Sequence, residues 1–561
     1  MTASSASTPR SLPRIRGERH IAALVGSVIV VLAVLLPVAT ILLVAVSGTS
    51  EEWPHLLRYV LPQSLGTTLA LLLFVAAGTS VIGVGCAWLV VAYDFPLRRL
   101  LAWALVLPLA VPPYLAAYAF GEFFHYVGPL QSALRALFGF TNSRDYWFPD
   151  IRSTWGAALV ITSVTFPYVY LTARVVFLMQ GRNIADVART LGARPWRVFF
   201  RILLPVARPA IVAGLALVMM ETLNDIGAVE YLGVRTLTLS VYSTWLNRGS
   251  LEGAAQIAAV MLVIVFLLLS AEQWARRQQR FHAARGTQMH VRPPRITLSG
   301  GRGLAAAGAL SLPILLGFGI PLFVFGRYVM RRLYQFADPQ VLQAFLTSVA
   351  VASVTAVLTV LLALLLINAI RLRRRPATLL LVRLASIGYA LPGTILGLGL
   401  LLSLAWIDNT VDGFSRSFAG FSTGLILTGT AASIVIACTI RFLALAESAI
   451  RSGLEKLPPN LDQAARSLGK TANQSALTIL LPLLKPAILT AGILVFVDTV
   501  KELSATILLR PFGFRTLATH VYENASRGAV EDGAVAALLI IATAIVPVIL
   551  LSRPLMGDRN T

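Results

Sequence analysis

Apolar residues arrive along this chain in long blocks, separated by short stretches rich in Arg, Pro and Gly. A block of about 20 such residues is what an α-helix needs to cross a bilayer. Twelve spans are predicted, near 21–46, 64–92, 100–126, 154–179, 207–226, 251–272, 303–326, 341–370, 377–405, 421–446, 485–505 and 533–552. Arg10, Arg14, Arg16 and Arg19 precede the first block as in a signal peptide. Its apolar run is 26 residues, with no small-residue cleavage site after it, so it reads as a retained anchor.

The pattern repeats. Residues 183–211 (NIADVARTLGARPWRVFFRILLPVARPAI) align without a gap to 460–488 (NLDQAARSLGKTANQSALTILLPLLKPAI), with 12 of 29 positions identical at an offset of 277. ETLNDIGA at 221–228 faces DTVKELSA at 498–505 at the same offset; after a three-residue shift Tyr242 faces Tyr522. A duplicated six-span unit follows. Six is even, so both halves enter the membrane from the same side and form parallel repeats about an axis along the membrane normal. The expected fold is all-α: a cytoplasmic tail (1–20), a first six-helix repeat (21–272), a basic cytoplasmic linker (273–302), a second repeat (303–553) and a cytoplasmic tail (554–561).

Composition sharpens this. Of 561 residues 57% are hydrophobic and only 13% charged, against roughly 45–50% and about 25% in soluble domains. A soluble enzyme is excluded. The formal charge of +22 concentrates in loops that would be cytoplasmic with the N-terminus inside, such as Arg276/Arg277/Arg280/Arg285 and Arg371/Arg373/Arg374/Arg375. It therefore reads as an orientation signal rather than a nucleic-acid site; Arg327, Arg331 and Arg332 dissent. Cys86 and Cys438, far apart in apolar stretches, support neither a disulfide framework nor a metal site.

In the twin loops, Asn183 and Asn460 suit helix N-caps, and Gly192 and Gly469 suit C-terminal stops. Pro195 suits the start of a second helix. A Leu-Pro step follows at Pro205 and Pro482, with Pro209 and Pro486 four residues on. The pattern predicts a short cytoplasmic helix, a sharp turn, and a helix feeding the next span.

Asp186-Val187-Ala188 through Gly192 to Pro205, and Gln463-Ala464-Ala465 through Gly469 to Pro482, resemble the E-A-A-x-x-x-G loop of binding-protein-dependent ABC transporter permeases. Asp186, Ala188, Gly192, Pro205, Gln463, Ala465, Gly469 and Pro482 match its motif positions, although the acidic first position is Gln463 in the second half. The resemblance implies that each loop docks on a separate ATP-hydrolysing subunit. Two copies of that ATPase, with ATP and Mg²⁺ held there and no cofactor bound by this chain, and a periplasmic binding protein would complete an importer of the inner membrane. The stretches 220–238 and 497–523 resemble the ferric-iron branch of fused permeases, to which thiamine and phosphonate permeases are related.

Gly469-Lys470-Thr471 is no P-loop, because the glycine that motif needs five residues earlier is Ala464. No nucleophile–base pair or HExxH-type metal site is legible, so catalysis by this chain is not expected.

Ionisable groups inside spans cost roughly 2.5–3.5 kcal/mol each at mid-bilayer. Glu221 and Asp225 end span five and Asp498 and Glu502 end span eleven, each pair spaced by four and so expected on one helical face. Two such faces across the axis would make an oxygen-rich passage suited to a hard cation, and any metal would be held only transiently. Ordinary gate salt bridges to Lys501, Arg235 or Arg515 are the other reading. Tyr231, Tyr242, Tyr522, His520 and His125 are further possible donors. Gly393 to Gly397 forms a G-x-x-x-G, expected to mark close helix packing. An ion-gradient-driven transporter would share the duplication but would need no twin loops; a receptor or assembly protein would need a soluble domain.

Overall fold

The computed structural model describes residues 18–48, 52–190, 195–277, 295–372, 376–458 and 460–556. The first half comprises α1 (Glu18–Ser47), α2 (Trp53–His55), α3 (Leu61–Ala92), α4 (Arg98–Ala104), α5 (Pro113–Phe124), α6 (Pro129–Phe138), α7 (Thr154–Thr190), α8 (Pro195–Val198), α9 (Leu204–Asn224), α10 (Gly227–Tyr231), α11 (Leu237–Leu246) and α12 (Leu251–Arg277). The second repeats it with α13 (Gly301–Ile314), α14 (Ile320–Arg331), α15 (Pro339–Leu372), α16 (Pro376–Ala385), α17 (Gly393–Ala419), α18 (Ala431–Glu455), α19 (Leu461–Ser467), α20 (Ala472–Ser475), α21 (Leu481–Val500), α22 (Ser504–Leu509), α23 (Leu517–Ser526) and α24 (Ala534–Met556). The protein is an all-α polytopic membrane protein. Among the described residues, eleven helices are long and apolar enough to cross a bilayer, or twelve counting one pair bent by 97°.

Spans three and nine are not the straight helices expected. Span three bends between Arg98–Ala110 and Pro113–Phe138, and span nine divides between Ser386–Ala390 and α17. Both breaks coincide with a proline, Pro112 and Pro392, each extended in backbone and each followed at once by a new helix. Residues 421–430, expected within span ten, form a loop instead. Gly420, Gly424 and Gly429 adopt positive φ there, and Asp408 and Asp412 accept backbone N–H groups from Leu427, Thr428, Thr423 and Gly424.

The Leu-Pro steps lie within continuous helix. One π-helical turn, Phe199–Leu203 or Ala476–Leu480, precedes each and runs straight into α9 or α21. Leu61-Pro62 and Ile320-Pro321 follow π turns in the same way. A proline has no N–H and its ring collides with the carbonyl four residues back; a widened turn relieves both.

Each half lends its leading helices to the other. The core around α15, α17, α18 and α21 includes Val30, Val31 and Val34 of α1. The core around α3, α5 and α7 includes Val324, Phe325 and Val329 of α14. Glycine sets these contacts: a Cβ on Gly399 would lie 2.4 Å from the Pro37 carbonyl oxygen, and one on Gly317 2.0 Å from that of Ser163. The linker lies largely outside the described residues, but its end returns as a two-residue strand, β2 (Ile296–Thr297), parallel to β1 (Tyr93–Asp94).

Candidate functional site: a charged pocket between the halves

The pseudo-twofold arrangement brings the C-terminal ends of α9 and α21 together, and with them all four carboxylates singled out from sequence. Glu221, Asp225, Asp498 and Glu502 line one pocket of about 730 Å³ with Arg441 and Lys501. The one-face expectation fails for the second member of each pair, because α9 ends at Asn224 and α21 at Val500. Asp225 and Glu502 therefore lie past the helix ends and cap the next helices. Asp225 accepts the Ala228 N–H at 2.6 Å, and Glu502 accepts the Ala505 N–H at 2.7 Å. This is the usual answer to the orphan donors of a helix start.

Two broken spans start here as well. Tyr114 of α5 lines the pocket with Asp225, and the Asn224 side-chain oxygen accepts the Gly393 N–H of α17 at 2.7 Å. Four helix N-termini thus converge on the pocket, and those of α10, α17 and α22 each give an N–H to an oxygen of the chain itself. The halves are stitched at this level by Asn224–Gly393 and by the Ser504 hydroxyl, which donates to the Asn224 carbonyl at 2.6 Å. A Cβ on Gly393 would lie 2.8 Å from Ser504 Cβ, and one on Gly397 2.9 Å from Leu508, so the G-x-x-x-G does mark close packing against α22.

The counter-charges are unequal. Arg441 Nη1 meets Glu502 Oε2 at 2.5 Å, with both side chains over nine-tenths buried. Lys501 Nζ meets Asp498 Oδ1 at 2.8 Å. Neither Arg235 nor Arg515 takes part; Arg515 pairs with Glu523. Glu221 forms no ion pair among the described residues and faces Arg441 and Lys501 across the pocket. Arg441, Asn224, Tyr168 and Tyr389, which also line the pocket, were not picked out from sequence. Arg441 could have been, as a charge within the apolar tenth span; its counterpart at the 277 offset is Val164.

A wider vestibule of about 2,110 Å³ opens at the start of α7, on the face opposite its Thr190 end. It holds Tyr231, Tyr522 and His125 of the expected donors, together with Tyr118, Glu122 and Glu230. Tyr522 donates to Glu230 at 2.7 Å. Tyr242 lies beside Tyr522. His520 is not in it: it is buried in α23 beside Asn524.

The twin loops differ. Asn460 starts α19, its carbonyl accepting the Ala464 N–H at 2.8 Å, and Gly469 ends the turn at φ +84°. Asn183 lies inside α7 rather than at a helix start, because α7 runs unbroken to Thr190, through Asp186 and Ala188. The sequence explains the contrast: Pro458-Pro459 separates α18 from α19, where the first half has Gly181-Arg182. Gly192 lies outside the described residues. Ala465 is buried, whereas Gly469 and Pro482 are exposed and Pro205 is half-buried. Lys470 donates to the Thr478 hydroxyl at 2.7 Å, in a helical hairpin unlike a phosphate loop.

The sequence matches the family model "Binding-protein-dependent transport system inner membrane component" twice, over residues 79–280 and 366–557. The chain belongs to this family. It is a fused two-half ABC importer permease of the inner membrane. It is 26% identical to the Fe(3+)-transport system permease protein FbpB 2 of Haemophilus influenzae over 511 residues, covering 90% of this permease and 92% of the relative. Half-length relatives include the molybdenum transport system permease protein ModB of Escherichia coli K12, 30% identical over 42% of this permease and 99% of the relative. The sulfate transport system permease protein CysW of the same strain is 32% identical over 36% of this permease and 69% of the relative.

Proposed function

We propose that this permease carries ferric iron inward by alternating access, receiving it from a periplasmic binding protein and driven by two copies of a cytoplasmic ABC ATPase seated on the twin loops. The N- and C-termini then lie in the cytoplasm and the vestibule opens outward. One observation carries the cargo assignment: four carboxylates meet two cations in the pocket, a net formal charge of −2. Asp225 and Glu502 also occupy N–H groups at the helix starts, where an oxyanion would otherwise bind. A hard, highly charged cation instead finds oxygen donors, and the whole-length ferric relative supports the same reading.

A molybdate- or sulfate-type oxyanion is the second reading, favoured by Arg441, Lys501 and the half-length relatives. Thiamine or a phosphonate would use the same architecture.

Transport follows from the stitching. The halves separate only by breaking Asn224–Gly393 and Asn224–Ser504, and nucleotide-driven movement of the loops supplies the displacement. The test is radio-iron uptake in cells with the cognate binding protein and ATPase, comparing the parent with Glu221→Gln plus Asp498→Asn, and with Gly192→Pro plus Gly469→Pro. Uptake in the parent that both variants abolish, with membrane insertion intact, is expected. Parent cells that take up molybdate or sulfate instead of iron would establish the second reading; iron uptake that survives the loop variant would show that the twin loops do not couple ATP hydrolysis to transport.

A further inference from the structure

We infer that the vestibule contains a second, phenolic binding station for the ferric cargo, formed by Tyr522, Glu230 and Tyr118 with Tyr242 behind them. The inference rests on the ferric reading above and concerns where iron waits before it reaches the carboxylate pocket.

The duplicated tyrosines meet at the axis: Tyr242 of α11 lies beside Tyr522 of α23, and Tyr522 donates to Glu230 of α10 at 2.7 Å. Glu230 lies three residues along α10 from Gly227, which lines both the vestibule and the inner pocket. The Tyr118 hydroxyl lies 3.2 Å from where a Gly227 Cβ would stand. Tyr118 is 1% exposed, lines the vestibule, and its hydroxyl makes no hydrogen bond among the described residues. Tyr118 thus presents a hydroxyl with no protein partner to the vestibule, in the same lining as the phenol–carboxylate pair, where it is open to a ligand. Interfacial anchoring does not explain it, since anchoring tyrosines sit at the lipid headgroups.

The station is also one-sided. On α5, Tyr114, Tyr118 and Glu122 recur every four residues, a single face running from the inner pocket into the vestibule. The matching positions of α17, aligned on Pro112 and Pro392, are Thr394, Leu398 and Leu402, and those matching Glu230 and Tyr231 are Ile507 and Leu508. A stripe needed only for packing would not be phenolic and acidic in one half and aliphatic in the other. Arg152, whose guanidinium lies over the Tyr231 ring, and Arg527 border the vestibule, and Arg527 is drawn towards Glu523.

Ferric iron is a hard acid, and oxygen donors suit it. Each phenolate–iron bond that forms releases one phenol proton to vestibule water; the proton returns when the ion moves on. No electron is transferred.

The test uses the full-length permease in nanodiscs, titrated with ferric nitrilotriacetate, alongside iron uptake in vesicles containing all partners. The expected result is a visible phenolate-to-iron charge-transfer band that Tyr522→Phe and Tyr118→Phe each weaken and together abolish. Glu221→Gln plus Asp498→Asn should keep the band while losing transport. If Tyr522→Phe fails to fold, Tyr118→Phe and Glu230→Gln carry the test. A transporting parent with no band, or with a band unchanged in the phenylalanine variants, overturns the station and leaves the cargo assignment standing. A parent that moves no iron overturns both.

Discussion

Arg441 and Glu502 face each other 61 residues apart in sequence, both nearly sealed from solvent. Removing one member of such a buried pair strands the other charge and costs about 3–5 kcal/mol, whereas neutralising both is far milder. Arg441→Met is therefore expected to lower the melting temperature sharply. Adding Glu502→Gln, which keeps an acceptor for the Ala505 N–H, should recover most of the loss; a double variant less stable than the single one would refute the pairing argument. His520 gives a pH test. Burial and nearby Arg515 hold its pKa below the ordinary 6.5, so the folded state binds fewer protons than the unfolded chain. Its stabilising contribution is full above about pH 6.5 and erodes as pH falls towards the depressed folded value. Melting measured at pH 7.5 and 5.5 should show a smaller acid-side drop for His520→Asn than for the parent. At this scale the four carboxylates were legible, because charge in an apolar block demands a reason. Their capping roles were not, since spacing by four implies one face only while the helix continues, and nothing in residues 221–228 marks Asn224 as its end.

The long apolar runs of α3, α7, α15 and α18 announce themselves, and the repeat announces their pairing. Pro112 and Pro392 were visible too, but proline alone does not distinguish a kink from a break. Pro205 and Pro482 pass through helices widened by one π turn, whereas Pro112 and Pro392 reset the direction at new helix starts. The exchange of leading helices had no sequence signal at all, because hydropathy says that α1 is buried in lipid or protein but not against which half. The contact itself is testable. A methyl at Gly399 would meet the Pro37 backbone oxygen at 2.4 Å, and backbone cannot rotate away as a side chain can. Overpacking of this kind typically costs about 1–3 kcal/mol. Gly399→Ala should reduce the folded, monodisperse fraction on size-exclusion chromatography. Gly413→Ala, on the same helix with open space around it, should not; equal behaviour of the two would place α1 elsewhere.

Across the whole molecule the duplication is exact in topology and unequal in chemistry. The second loop has a separate short helix ended by Gly469 at φ +84°, whereas the first continues α7 to Thr190. The pocket draws its two cations from the second half, and the vestibule its phenols and acids mainly from the first. If loops and pocket are the two ends of one machine, their defects must separate. Left-handed backbone costs a residue with a Cβ roughly 1–2 kcal/mol, so Gly469→Ala loosens α19 without touching the spans. It should weaken binding-protein-stimulated ATP hydrolysis in reconstituted vesicles and lower iron transport in proportion. Glu221→Gln plus Asp498→Asn should instead lower transport while hydrolysis continues, because on the proposed reading the loops are unchanged and only the pocket carboxylates are lost. The ratio of ions moved to ATP hydrolysed then stays near the parent's in the first variant and falls in the second. A fall in both, or in neither, would mean that these loops do not transmit hydrolysis to this pocket.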